Sequence, residues 1–306
     1  MEIYKPSNVV PTSGYVWCLL TALVTGGVVG GTISLIGTFF YLIILFPLGM
    51  GVLGAGATQL AIKSGKVRNP RSALVFGVLT GASIYGSMHL IDYVRFQRQV
   101  ANEFREFYAA ELEREIAQNE RTEEQVLRDA TESLLLEQTG QTGFLGYLKY
   151  FAQQGMSLSS GGSGGLPVGG VFMWVYWGLE LGVVLGISGL GGLGAAREPF
   201  NEKKNEWYGT PTRVGNVPDE VSQQFIELLD KDNYADAGKL VTLSESISVP
   251  SIEVYLHQAS DDWMDDSILD LSNTSFGRNQ EIQRERFLLG SLTRAQWQKF
   301  DRAIER

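Results

Sequence analysis

From Gly14 to Ile62 no Asp, Glu, Lys or Arg interrupts a run dominated by Leu, Val, Ile, Gly and Phe. One bilayer crossing takes about 20 apolar residues, so this run is long enough for two. Further apolar blocks cover Ser72 to Ile91 and Leu166 to Ala196. The pattern predicts four membrane-spanning helices, over residues 15–38, 43–62, 72–95 and 166–196. The turn between the first two falls between Gly37 and Pro47, because proline disfavours helix in the residue before it and suits a first helical turn.

Between the third and fourth spans the periodicity changes character. Val100, Phe104, Phe107, Leu112 and Ile116 keep helical spacing and carry the third helix out of the membrane to Gln118. Thr122-Glu123-Glu124-Gln125 is a capping-box pattern opening a helix to Gln138, with Leu127, Ala130, Leu134 and Leu135 as its inward face. Phe144, Leu145, Tyr147, Leu148 and Phe151, with Lys149 as the one charge among them, predict a helix lying in the membrane interface. Ser157 to Gly165 is a Gly/Ser-rich linker into the fourth span.

From Arg197 onward the chain is polar and mixed. Pro218 to Leu229 and Tyr234 to Leu243 read as helices sharing a core of Phe225, Ile226, Leu229, Tyr234, Ala237 and Leu240. Residues 252–256, 268–271 and 282–289 read as strands, and Thr293 as the cap of a last helix carrying Trp297 and Phe300. The expected fold class is an α-helical membrane protein of four transmembrane helices with a small soluble α+β C-terminal domain. Its parts are an N-terminal membrane region (1–96), an extramembrane helical segment with linker (97–165), the fourth span (166–196) and the soluble domain (197–306).

Charge refines this picture. The net charge is −9; residues 95–155 carry 11 acids against 7 bases, and residues 197–306 carry 20 against 13. Both polar parts are acidic, which argues against nucleic acid as a partner. Lys63, Lys66, Arg68 and Arg71 form a short connector without an acid, and such connectors stay on the cytoplasmic side. They act as topology determinants, predicting cytoplasmic N- and C-termini and an external 95–165 segment. The first apolar block is too long for a cleaved leader and runs straight into a second, so it is expected to be retained. Cys18 is the only cysteine, which excludes an intramolecular disulfide and a cysteine-based metal site. No metal and no cofactor is expected.

Small residues recur at four-residue spacing in the spans: Gly26/Gly30, Gly27/Gly31, Gly51/Ala55, Gly77/Gly81 and Gly178/Gly182/Gly186. Lipid offers no hydrophobic drive for helices to associate, so close backbone approach at small residues supplies the packing. Glu180 stands without another charge anywhere in the fourth block, and an ionisable group there faces the bundle interior or water and is a functional candidate by default. His89 and Asp92, within one turn, share a face of the third span and are expected to pair. The acidic run 261–266 lacks the ligand spacing and central glycine of a calcium loop and reads as a solvated loop. No phosphate-cradling loop, nucleophile elbow or metalloprotease motif occurs.

Gly65-Lys66-Val67-Arg68-Asn69-Pro70, set between Gly-rich spans, resembles a connector of uncharacterised multi-pass bacterial inner-membrane proteins. In those proteins the last span is followed by a zinc-ribbon-like Pro-Phe-Cys-x-x-Cys-x-x-Trp stretch. Here the matching segment runs from Pro199 to Trp207 with Asn201 and Lys204 at the cysteine positions, so no thiolate site can form. The resemblance implies bacterial inner-membrane placement and no activity. The expected function is a non-enzymatic anchor for contacts with lipid and with other membrane or cytoplasmic proteins, or with itself. The alternative is a small transporter or channel subunit using Glu180.

Overall fold

A computed structural model describes residues 1–38, 42–119, 121–158, 166–243, 249–258 and 266–304. In chain order, strand β1 (Glu2–Ile3) precedes helix α1 (Thr12–Thr25), a π-helical turn (Gly26–Gly30) and α2 (Gly31–Gly37). Then come α3 (Leu45–Ser64), α4 (Pro70–Phe107), α5 (Ala109–Asn119), α6 (Glu123–Thr139) and α7 (Gly143–Gln154). A ribbon of β2 (Met156–Leu158) and β3 (Leu166–Val168) leads into α8 (Val171–Ala195). The remainder is β4 (Phe200–Asn201), β5 (Glu206–Trp207), β6 (Thr212–Pro218), α9 (Asp219–Asp230), α10 (Tyr234–Lys239), β7 (Ser251–His257), β8 (Ser267–Phe276), β9 (Ile282–Leu292) and α11 (Arg294–Ala303). The chain divides into two compact units: residues 11–65 with 71–195, and residues 1–10, 66–70 and 196–306.

The first of these units is helical. It contains four helices long and apolar enough to cross a membrane: Thr12–Gly37, Leu45–Ser64, Pro70–Phe107 and Val171–Ala195. Pro47 sits in the first turn of α3, where a missing N–H costs nothing. The fourth helix starts at Val171 because Leu166–Val168 pairs with Met156–Leu158 instead, which takes Ser157 and Leu158 out of the expected linker; residues 159–165 of that linker, and residues 261–265 of the acidic run, lie outside the described residues. Large apolar side chains such as Leu23, Val52, Leu60, Val75 and Leu179 point outward.

Inside the helical unit the spans meet at their small residues. A methyl group added at Gly77 would lie 2.7 Å from the Gly189 Cα, and one at Gly30 would lie 2.9 Å from the Met88 amide nitrogen. Gly26 and Gly81 likewise abut Ser83 and the Val184 carbonyl. Met50, Ile84, Tyr85, Met88 and Val184 close the core beside them. Buried hydroxyls have acceptors: Thr58 donates to the Gly54 carbonyl at 2.8 Å and Thr80 to that of Phe76 at 3.0 Å within their own helices, and Ser188 donates to the Gly51 carbonyl of α3 at 3.3 Å. Gly178, Gly182 and Gly186 require a correction: a methyl group on any of the three meets nothing within 4 Å, so they make no close helix contact among the described residues. The close contacts of α8 with α3 and α4 are made at Val184, Ser188, Gly189, Gly191 and Gly192 instead.

Beyond the apolar stretch of α4, helical hydrogen bonds continue across Tyr108 into α5, and α6 packs on both around Phe104, Leu112, Val126 and Leu127. Thr122 and Gln125 form the reciprocal capping box that opens α6. Helix α7 lays Tyr147 against Tyr93 and Phe96 of α4 at ring separations of 5.4 Å, which buries Tyr147 in the helical unit while Phe151 stays exposed.

The second unit is an antiparallel sheet of order β1-β9-β8-β7-β6, with α9, α10 and α11 on one face. Alternation along β7 and β8 sends Ile252, Val254, Leu269 and Leu271 into a core with Phe225, Leu229, Tyr234, Ala237 and Phe300. The segments 1–10 and 66–70, which precede and interrupt the helices in sequence, belong to this unit. Residues Glu2 and Ile3 pair with Ser291 and Gly290. The connector is fixed by side-chain and backbone bonds: the Arg68 amide donates to the Val9 carbonyl at 2.9 Å, and its guanidinium is ion-paired to Glu202 and lies 4.4 Å above the Phe200 ring. Lys66 Nζ donates to the Asn205 carbonyl at 2.6 Å. In the segment where the resemblance would place a zinc ribbon, β4 and β5 make a hairpin. Asn201 Oδ1 accepts from the Lys203 and Lys204 amides at 3.0 and 3.1 Å, closing the turn without a metal.

Two outcomes follow from this packing. Gly77→Ala should destabilise the detergent-solubilised protein by about 1–3 kcal/mol in thermal unfolding, because its new methyl must displace backbone, whereas Gly182→Ala should stay within about 0.5 kcal/mol of the parent. Chelator should leave the melting of the full chain unchanged, and metal analysis should find substoichiometric zinc, because the 199–207 turn is closed by Asn201.

Candidate functional site

In the helical unit the packing ladder of α4 against α8 has a definite register. Gly77 meets Ser188 and Gly189, and Gly81 meets Val184 and Leu185. Moving one more turn along each antiparallel helix brings Tyr85 opposite Glu180, and one further brings His89 beside Trp177. The small residues therefore determine which polar groups meet. Glu180 is 3% exposed. Its Oε2 accepts from the Tyr85 hydroxyl at 3.2 Å, and its Oε1 accepts from the hydroxyl of Tyr176, one turn earlier on the same helix. Tyr176 also reaches the Ile43 carbonyl at 3.5 Å.

Glu180 forms the end of a cavity of about 350 Å³ lined by α2, α4, α7 and α8. Ile33, Ser34 and Gly37 line it from α2; His89, Asp92, Arg95 and Phe96 from α4; Tyr147 and Phe151 from α7; Met173, Tyr176 and Trp177 from α8. The helix periods explain the selection, since 89 and 92, 92 and 96, 147 and 151, and 173, 176 and 180 are each three or four residues apart. The three ionisable residues singled out in the sequence line one cavity, but the expected His89–Asp92 pair is replaced by other contacts. Asp92 Oδ1 accepts from the Ser34 hydroxyl at 2.5 Å, and Arg95 Nη1 donates to the Ser34 carbonyl at 2.8 Å. His89 instead packs its ring edgewise against Tyr85 at 4.7 Å and Trp177 at 5.3 Å. The physical reason is reach: Ser34, on a facing helix, approaches Asp92 directly, while the imidazole turns toward Tyr85 of its own helix and Trp177 of α8.

Of the connector residues, Lys63 ends α3 and Arg71 opens α4, both exposed, while Lys66 and Arg68 are built into the sheet unit as described. Sequence reasoning missed Tyr85, Tyr176, Arg95 and Trp177. The available signals were the i,i+4 spacing of Tyr176 to Glu180 and the i,i+3 spacing of Asp92 to Arg95.

The sheet unit holds a second polar constellation, on the face opposite its core. Glu253, fully buried, accepts from Arg284 Nε at 2.6 Å and from the Tyr255 hydroxyl at 3.1 Å, with Arg213 Nε 3.5 Å away. Burial, then the Glu253 carboxylate, push the Tyr255 phenol above its ordinary range, which keeps it a donor. Asp270 accepts from Arg286 Nη2 at 2.8 Å and lies 3.1 Å from His257 Nε2, while His257 Nδ1 faces the Gly209 carbonyl at 3.3 Å. With His257 2% and Asp270 3% exposed, this cluster ties β7, β8 and β9 together across the sheet.

Among the described residues no group of three or more His, Cys, Asp or Glu side chains could hold a metal ion. The fold and site define a bundle of membrane-length helices enclosing a polar-ended cavity, joined in sequence to an antiparallel-sheet unit. Compared with known proteins, the chain matches no family model, no curated protein and no solved structure.

Glu180→Gln keeps the shape and an acceptor oxygen for the phenols, so the bundle should melt close to the parent. Glu180→Leu deprives the Tyr85 and Tyr176 hydroxyls of that acceptor and should cost about 1–3 kcal/mol in thermal unfolding.

Proposed function

We propose that this chain is a non-enzymatic integral membrane protein of the bacterial inner membrane, an anchor that displays its acidic sheet unit to protein partners. The observation that carries this reading is the composition of the sheet unit, which draws residues 1–10, 66–70 and 196–306 from three places along the chain. The segments between them supply the four membrane-length helices. Strand β1 precedes the first span, the connector separates the second from the third, and the remainder follows the fourth. An even number of crossings lies between each pair of these segments, so all three emerge on one side, the cytoplasmic side by the charge of Lys63, Lys66, Arg68 and Arg71. The outward Leu, Val and Phe side chains of the helices suit a lipid solvent. Partners are lipid and other membrane or cytoplasmic proteins, a second copy of the chain included; the acidic charge disfavours nucleic acid.

One observation favours the second reading, a small transporter or channel subunit: Glu180 lines a cavity. Against it, α8 beyond Glu180 is closely packed on α3 and α4 through Val184, Ser188, Gly189 and Gly192.

Reporter fusions after Lys66, within 120–140 and at Arg306 should read inside, outside and inside; an inside signal from the middle fusion overturns the topology. Purification of the native complex in mild detergent should recover a stoichiometric protein partner, and proteoliposomes should show no proton or cation flux. Flux that disappears in Glu180→Gln would replace the anchor with a transporter.

A further inference from the structure

The geometry points to a ligand for the cavity between α2, α4, α7 and α8: a small organic cation, a protonated amine carried on an apolar or aromatic body. The cavity, at about 350 Å³, falls within the range of about 300–1,000 Å³ typical of small-molecule sites. Its walls combine two kinds of group. Phe96, Tyr147, Phe151, Tyr176 and Trp177 offer aromatic surface from three helices, and Asp92 and Glu180 offer carboxyl groups. Rings attract a cation through the negative potential of their faces and bury an apolar body at the same time.

The charge balance selects the sign of the ligand. Two carboxyls line the cavity against one guanidinium, and Arg95 is already directed at Ser34, donating to its carbonyl at 2.8 Å and its hydroxyl at 3.3 Å. An anion entering would meet Asp92 and Glu180, and the one guanidinium is bonded to Ser34; a carboxylate that already accepts from hydroxyls keeps further lone pairs for a cation. A cation would offset the cost of holding carboxyl groups away from water. The spacing selects the size. Tyr85, which bonds Glu180, and Asp92 lie seven residues apart on α4, about 10 Å along the axis at 1.5 Å per residue. A ring with a short amine arm spans from the aromatic wall to either carboxyl, with His89 and Trp177 between them.

The test uses the full chain in nanodiscs of phosphatidylcholine and equilibrium dialysis of three probes of one shape: phenethylammonium, phenethyl alcohol and phenylacetate, each corrected for empty nanodiscs. The ammonium should bind more tightly than the other two by about tenfold or more. Glu180→Gln should weaken the ammonium by about tenfold and leave the alcohol nearly unchanged, and Trp177→Leu should weaken the ammonium as well. The probe series on the unmodified chain decides the matter even where a variant folds poorly. Equal binding of all three probes would mean a non-selective apolar void and overturn the assignment. Preference for phenylacetate, or ammonium binding indifferent to Glu180→Gln, would overturn it too.

Discussion

Helices α4 and α8 approach until backbone meets backbone, because Gly77 and Gly81 on one and Gly189 and Gly192 on the other leave no side chain between them. Where apolar helices lie in an apolar solvent, such contact becomes the main source of association, since side chains would gain nothing by leaving lipid for one another. The same contact has no tolerance for a shift in register. Sliding one helix by a turn would place Ser188 or Val184 where only a glycine fits, so the ladder that begins at Gly77 also fixes, two turns on, that Tyr85 faces Glu180.

The polar end of the cavity depends on that register. A carboxyl at the centre of an apolar helix is tolerated only where donors converge on it, and Tyr85 and Tyr176 do so from two helices. Next to it, the Ser34–Asp92–Arg95 cluster ties α2 to α4 with hydrogen bonds. Apolar packing at one end of α8 and satisfied polar groups at the other thus divide the bundle into a closed half and a hollow half.

The sheet unit solves a different problem. A strand pattern with apolar residues on one face would leave β7 and β8 with a second face to cover, and this chain fills it with paired charges instead. The buried carboxylates of Glu253, paired with Arg284 and Arg213, and Asp270, paired with Arg286 and hydrogen-bonded to His257, hold four strands, β6 to β9, in register. The edge strand β1 and the connector with Arg68 complete the unit, so residues that read in sequence as loop ends of the helices carry the packing of a domain far along the chain, Glu2 pairing with Ser291 and Arg68 with Glu202.

The four apolar helices, the capping boxes at Thr122 and Thr293, and most strands of the sheet were legible in the sequence, because hydrophobic period, charge-free length and cap chemistry are local properties. Glu180 was legible as well, by its isolation. Its partners were not, nor was the replacement of the His89–Asp92 pair by Ser34 and Arg95, since which faces of distant helices meet depends on register rather than on any one segment. Gly178, Gly182 and Gly186 have the same spacing as Gly77 and Gly81, and the sequence could not separate them; only the rotation of α8 in the bundle decided that Gly189 and Gly192 face a neighbour and the other three do not. The membership of residues 1–10 and 66–70 in the sheet unit was likewise decided by tertiary structure alone, because a two-residue edge strand and a short basic connector carry no periodic signal of the sheet they join.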